Sequence, residues 1–330
     1  MTEVTRVEIT RHVLSYYSPI VTAHGQLLQR PVVVVALSDD QGNTGFGEAA
    51  PLNGFTTENI DQSEATIRQW FSADQPEGPP DLPTARAAID GAFFDLHAQQ
   101  RGLSLHQHLN PESPSRLPVA ALITGSSTDA LVEQALQKQA EGFATLKIKV
   151  GAGSFAVDLE RVAAVRSAVG GRMALRLAAN GAWSPDEALR NIEKLFPFSL
   201  EFIEEPTAGL AGLAKVRKGA AFPVAVDESA GDLAGLRQAI DLGSGDFFIL
   251  KPSAIGGLVV AEQAATMAAQ AGLGVVVTSL LESSHGVKLA AHFASAQGLS
   301  APSPGLATAE LLTQDLGCPL PISNGHLSLT

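Results

Sequence analysis

Four short apolar runs in this chain each end in charged residues: Leu146-Lys147-Ile148-Lys149, Phe202-Ile203-Glu204-Glu205, Val224-Ala225-Val226-Asp227-Glu228 and Ile249-Leu250-Lys251. They belong to a series of strand-like runs starting near Pro118, Thr145, Ala174, Glu201, Pro223, Phe247 and Gly274. The series recurs at intervals of roughly 22 to 29 residues, the length of one strand–helix unit. Helical stretches follow the first six, among them Thr128 to Ala140, Phe155 to Val169 and Pro185 to Leu195. Such alternation demands a parallel sheet with right-handed crossovers, and a final strand near Ser300 would close it into a (β/α)7β, TIM-like barrel. In a barrel all C-terminal strand ends open onto one mouth, so the charges converge on one site. The alternative is a doubly wound open sheet; no Gly-x-Gly-x-x-Gly follows a strand, which argues against its dinucleotide-binding form.

Residues 1–112 read as a separate α+β unit and residues 113–330 as the barrel with a C-terminal segment. Glu8 to Leu14, Pro31 to Leu37 and Thr44 to Glu48 are β-like, with a turn signal at Asp39–Asn43. Two helices follow, the first capped by Thr57 and the second running from about Thr84 to Gln100, with a Pro/Gly-rich loop between them from Gln75 to Pro83. A length of 330 residues, with 45% hydrophobic and 17% charged, suits a large filled barrel plus a smaller partner.

The same composition narrows the function. Net charge is −12 and no Lys/Arg run exists, which argues against nucleic-acid binding. No apolar stretch approaches the ~18 residues of a membrane span, and the start, Met1 to Arg6, lacks the blocks of a secretory signal. The lone Cys318 excludes an internal disulfide, so the expected compartment is the cytoplasm. A small-molecule carboxylate is the expected partner, and the oligomeric state stays open.

Side chains alternate along a strand, so with Leu146, Ile148 and Val150 facing the helices, Lys147 and Lys149 point into the barrel. Two neighbouring, partly desolvated ammonium groups lower each other's pKa, as a lysine general base requires. A polar edge strand is the plainer alternative. Lys251 closes a strand four strands on, across the mouth from Lys149; alone it would read as a lysine reaching to solvent. Glu204 and Asp227 close consecutive strands, and paired carboxylates facing one cavity suit Mg²⁺ or a salt-bridge network with the lysines. Glu205 and Glu228, their neighbours, should point the other way.

Lys147-Ile148-Lys149, Ile203-Glu204-Glu205-Pro206, Asp227-Glu228-Ser229 and Lys251-Pro252-Ser253 with Gly256-Gly257 resemble the enolase superfamily, muconate-lactonizing-enzyme subgroup. Gly45 to Leu52 resembles that family's N-terminal capping domain. His24-Gly25 with Arg30, Leu281 to Gly286, and Pro304 to Thr308 look like the o-succinylbenzoate synthases within it. The resemblance implies syn dehydration of 2-succinyl-6-hydroxy-2,4-cyclohexadiene-1-carboxylate in menaquinone biosynthesis. It implies Lys149 as base, Lys251 as the cation facing the intermediate, and Mg²⁺ on Glu204 and Asp227. Lys147, Arg176, Thr278, Ser279, Ser283 and Gly305 are the substrate-binding residues it implies.

One departure stands out. Where the family places its first metal-binding aspartate, this chain has Ala178, whose methyl group coordinates nothing; Asn180, on the same face, is the candidate replacement. Mg²⁺ binding should be weak. N-acylamino acid racemases and dipeptide epimerases share most of these motifs, although dipeptide epimerases usually carry an Asp-x-Asp on the last strand that Ser300 to Thr308 does not supply. A metal-site-deficient inactive relative, natural or engineered, is the third reading.

Overall fold

Two long β-prone segments pair first: β1 (Arg6–Thr22) runs antiparallel to β2 (Gly25–Ser38), and β3 (Thr44–Ala49) adds to the far edge of β2. The computed structural model describes residues 3–22, 25–73, 78–125 and 127–330; His24, Met1, Thr2 and residues 75–77 of the Pro/Gly-rich loop lie outside these. Helix α1 (Ile60–Ser72) is capped by Asn59, whose side chain accepts from the Gln62 N–H while Gln62 reaches back, and not by Thr57 as expected. The reciprocal Asn–Gln box satisfies two helix-end donors, whereas Thr57 Oγ1 is spent on Glu58. Helix α2 (Pro83–Gln100) lies across the sheet, packing Ala85, Ala88, Ile89, Ala92 and Leu96 on Val33, Val35 and Leu37. The approach is so close that a Cβ on Gly47 would come within 1.8 Å of the Ala88 carbonyl oxygen, and one on Gly45 within 2.3 Å of that of Ala92. Only glycine fits at either position.

After α3 (Leu105–Leu109), β4 (Arg116–Pro118) stands apart from the barrel. The run that starts near Pro118 in the sequence is therefore two strands, and the first barrel strand is β5 (Ala121–Ile123). The alternation then proceeds through α4 (Thr128–Ala140), β6 (Thr145–Lys149), α5 (Phe155–Val169), β7 (Ala174–Ala178), α6 (Pro185–Leu195) and β8 (Phe202–Glu204). It continues through α7 (Leu210–Gly219), β9 (Val224–Val226), α8 (Leu233–Leu242), β10 (Phe247–Leu250), α9 (Pro252–Ile255), α10 (Leu258–Gln270), β11 (Gly274–Val277) and α11 (Ser284–Ala296). Strands β5 to β11 form one parallel sheet in sequential order.

No eighth strand forms near Ser300. The segment Pro304-Gly305 closes the ring instead: Gly305 N–H donates to Val277 O at 2.9 Å, Ser279 N–H to Gly305 O at 3.2 Å, and Ala120 N–H to Pro304 O at 2.8 Å. Pro302 and Pro304 have no N–H to extend a ladder, which limits the pairing to these few bonds. Strands β12 (Ile322–Ser323) and β13 (His326–Ser328) join β4 in a small antiparallel sheet. The main core lies between the barrel strands and the surrounding helices, where Leu146, Ile148, Val150, Leu175, Leu177, Ile203, Val224 and Val226 are all buried. No helix among the described residues is long and apolar enough to cross a membrane.

Candidate active site

The outward-facing residues of β6 fix what its inward face presents. Leu146, Ile148 and Val150 are buried against the helices, so Lys147 and Lys149 project into the barrel mouth. Lys147 Nζ forms an ion pair with Glu204, at the end of β8; the two side chains are 15% and 1% exposed. Lys149 Nζ donates to Asn180 Oδ1 at 2.8 Å. Across the mouth, Lys251 at the end of β10 pairs with Asp227, and its Nζ stands 5.0 Å from the centre of the Phe55 ring. Between the two lysine positions lies Ala178, in register with Lys149 on one side and Glu204 on the other, and 1% exposed.

Burial and, next, the charge of Lys147 lower the Lys149 pKa from 10.5 to about 8. Burial would lower Lys251 too, but the adjoining Asp227 charge and its hydrogen bond outweigh it and hold the ammonium above its usual range. The two lysines are thus pushed apart: one is partly neutral near physiological pH and the other stays charged. Such a divergence suits one lysine to accept a proton and the other to remain a cation.

A cavity of about 240 Å³ opens at this mouth. Lys147, Lys149, Lys251, Thr278, Ser279 and Gly305 line it, as does Asp227. Ser279 Oγ is held by Thr308 Oγ1 at 2.8 Å, while Thr278 Oγ1 is buried with no hydrogen-bond partner among the described residues. Two expected binding residues are elsewhere. Arg176 has the right face but the wrong depth: two residues before Ala178 it sits roughly 7 Å deeper in the barrel. There its Nε donates to Glu201 at 2.6 Å, its Nη1 donates to Ser303 O at 2.6 Å, and the guanidinium stacks on Phe202. Ser283 is the buried N-cap of α11, and its N–H and hydroxyl both donate to Glu48, from the N-terminal sheet.

Glu228 also departs from expectation. It follows β9 in a tight 3-10 turn, where strand alternation no longer applies, and its Oε1 accepts from Asn180 Nδ2 at 3.2 Å. Glu205, with φ of 42°, is buried beneath Asp227, taking that residue's N–H at 2.8 Å and the Ser229 hydroxyl. Burial, and then the charge of Glu228, push the Glu205 carboxyl up. The sequence reading missed the apolar half of the cavity, Leu27, Leu52, Phe55, Leu122, Leu280 and Leu281. Asn53-Gly54-Phe55 carried the available signal, an aromatic residue set in a turn between polar neighbours.

Do these residues fit a divalent metal? Among the described residues no group of three or more His, Cys, Asp or Glu is placed to hold one. Asp227 and Glu204 each carry a lysine ammonium, and Ala178 supplies no oxygen. Glu204 Oε1 accepts no hydrogen bond from the described residues, but one free carboxylate oxygen is little for an ion that seeks about six oxygens. The expected Mg²⁺ site on Glu204 and Asp227 is not assembled by this donor set.

Comparison with known proteins places the chain. Residues 130–330 match the family described as enolase C-terminal domain-like, and residues 4–87 the family described as MenC, N-terminal domain. The L-Ala-D/L-Glu epimerase of Bacillus subtilis is 30% identical over 314 residues, covering 89% of this chain and 86% of the relative. An o-succinylbenzoate synthase of Thermobifida fusca is 37% identical over 187 residues, covering 56% and 58%. The crystal structure of a dipeptide epimerase from Enterococcus faecalis, complexed with Mg and the dipeptide L-Leu-L-Tyr, superimposes with a TM-score of 0.91 at 26% identity, covering 100% of this chain and 98% of that one. Fold, mouth lysines and both domain matches agree: the chain belongs to the enolase superfamily, in its muconate-lactonizing-enzyme subgroup.

Proposed function

We propose that the chain is an o-succinylbenzoate synthase, a carbon–oxygen lyase that dehydrates 2-succinyl-6-hydroxy-2,4-cyclohexadiene-1-carboxylate for menaquinone biosynthesis. The observation that carries this reading is the charge of the cavity wall. Three lysines line it against a single carboxylate, Asp227, which is already paired with Lys251. A dianionic substrate meets compensating charge there, whereas the free ammonium of a dipeptide meets only Asp227, which Lys251 already occupies. The match of residues 4–87 to the MenC N-terminal family supports the same assignment.

The chemistry follows from the lysines. Neutral Lys149 takes the proton from the ring carbon bearing the carboxylate, and the C–H electron pair moves into that carboxylate as an enediolate. Lys251, charged and across the mouth, faces the developing anion; its Phe55 and Asp227 contacts fix it in place. Electrons then return from the enediolate, the adjacent C–O bond breaks, and hydroxide leaves with the proton held on Lys149, as water. Removal and return on one face make the elimination syn, and the ring becomes aromatic. Leu27, Leu52, Leu122 and Leu281 surround the ring carbons and exclude water. In this reading the Thr278 and Ser279 hydroxyls, both in the cavity wall, bind the succinyl carboxylate.

A second reading has its own support. The Bacillus subtilis relative is an epimerase, and Lys149 and Lys251 on opposite walls suit two-base epimerisation. The cavity charge disfavours dipeptides but not N-acylamino acids, which carry no ammonium. Incubation in D2O separates the readings. A synthase gives the aromatic product from the cyclohexadiene; a racemase exchanges the α-proton of an N-succinylamino acid with loss of optical purity. Absence of aromatic product at micromolar enzyme would sink the first reading.

A further inference from the structure

We infer that the site of this chain works without a divalent ion, and that the Lys147 ammonium does the electrostatic work such an ion would do. The inference rests on the proposed deprotonation next to a carboxylate, but its first test does not.

Three observations converge. The register places the methyl group of Ala178 directly between Lys149 and Glu204, at a depth where only 1% of the residue is exposed. Ala178 therefore puts a methyl group, and no oxygen ligand, at the centre of the site. Asn180, the nearest polar alternative, is committed in both directions: its Oδ1 faces Lys149 and its Nδ2 faces Glu228. An ammonium is donor-only and a carboxylate acceptor-only, so the amide cannot be turned round to present its oxygen elsewhere. Finally, Glu204 and Asp227 are each closed by a lysine, and Lys147, Lys149 and Lys251 stand against Glu204, Asp227 and Glu228, one ammonium for each carboxylate. A site whose carboxylates are matched by ammonium groups keeps no surplus negative charge to draw in a dication.

Lys147 is the group positioned for the role. It lines the cavity beside Lys149, and Glu204 holds its ammonium from behind with the carboxylate 1% exposed. A carboxylate oxygen of a substrate whose α-proton meets Lys149 would face Lys147, one inward position away on the same strand. Charge developing on that oxygen is then stabilised by a preorganised, charge-assisted hydrogen bond in a partly desolvated cavity. Aromatisation supplies driving force, so a single positive charge suffices where a racemase would need more.

The experiment begins with calorimetric titration of the unaltered chain with MgCl2. We expect no saturable heat up to about 5 mM, beyond the millimolar range of weak oxygen-ligand sites. Saturable binding with a Kd below about 1 mM would overturn the inference, whatever the reaction catalysed. Ala178→Asp restores the third carboxylate and should bind Mg²⁺ at least about tenfold more tightly than the unaltered chain. The unaltered chain alone decides if that variant fails to fold. In turnover of the cyclohexadiene carboxylate, prior treatment with EDTA should change kcat/KM by less than about twofold, and a loss of more than about tenfold restored by Mg²⁺ would overturn it. Lys147→Met should lose on the order of 100-fold in kcat with Mg²⁺ present or absent, and a rate within about threefold of the unaltered chain would show that this ammonium is dispensable. No turnover by any form, with the calorimetry silent, would fault the substrate assignment and leave the metal result standing.

Discussion

Lys149→Met tests the proposed base from both stability and rate. Holding the Lys149 ammonium inside the folded protein lowers its pKa from 10.5 to about 8, through burial first and Lys147 second. That depression corresponds to roughly 3 kcal/mol of destabilisation while both folded and unfolded states are charged. The sign follows from the direction. The cost is fully present below pH 8, shrinks as the folded-state lysine deprotonates, and is gone above the unfolded pKa near 10.5. Methionine fills a similar volume with no charge, but it leaves Asn180 Oδ1 without its donor, a loss of about 1–2 kcal/mol. The net expectation is a gain of about 1–2 kcal/mol at pH 7, read as a rise of a few degrees in melting temperature that has largely vanished by pH 10. Activity should fall by about 10³-fold or more, because the proposed base is lost. The assays are calorimetric melts at both pH values and product formation at pH 8. Retention of more than about a tenth of the rate would mean that Lys149 is not the base. A variant less stable than the parent at pH 7, with its deficit unchanged at pH 10, would refute the electrostatic argument.

Lys147→Met removes the charge that, after burial, most depresses Lys149 and frees Glu204 to raise it further, so the rise of kcat/KM with pH that follows Lys149 deprotonation should move from about 8 to higher pH. A rise that stays in place, measured from pH 6 to 10, would contradict that. Lys251→Arg keeps the charge but puts a wide planar group between Asp227 and Phe55; kcat should drop about 100-fold, and parental activity would show that ammonium shape is irrelevant there. Glu48→Ala strips the acceptor from the Ser283 N–H, the Ser283 hydroxyl and the Gly286 N–H, and should cost about 2–4 kcal/mol in urea unfolding, with little change expected if those bonds are made to water instead.

What the sequence disclosed followed from periodicity and from strand ends. Helices Thr128–Ala140, Phe155–Val169 and Pro185–Leu195 have the bounds their apolar spacing indicates, because each begins at a Ser cap or a first-turn Pro. Lys147, Lys149, Glu204, Asp227 and Lys251 meet at one mouth because strand direction in a parallel barrel leaves no other arrangement. Depth was not legible: alternation assigns Arg176 a face but not a layer, and the barrel interior is several layers deep. Nor was Glu228, whose direction is set by a 3-10 turn that breaks the alternation of β9. The apolar lining from Leu27, Leu52 and Phe55 depends on how the N-terminal sheet seats over the barrel, a long-range contact that local pattern does not encode.

Arg30 shows how that seating is made. Its guanidinium is 1% exposed and donates to the carbonyl oxygens of Ala50, Pro51 and Leu280, two from the N-terminal sheet's exit and one from the barrel rim. Every acceptor is main chain. A latch that grips only backbone is blind to the side chains at the positions it holds. At Leu280, a residue of the cavity wall, the latch holds the main chain alone, so a change of side chain there leaves the Arg30 contact itself in place. Substrate preference and assembly are uncoupled at this seam, so the cavity wall is free to drift in sequence under selection for new substrates while the reaction geometry beneath it stays fixed.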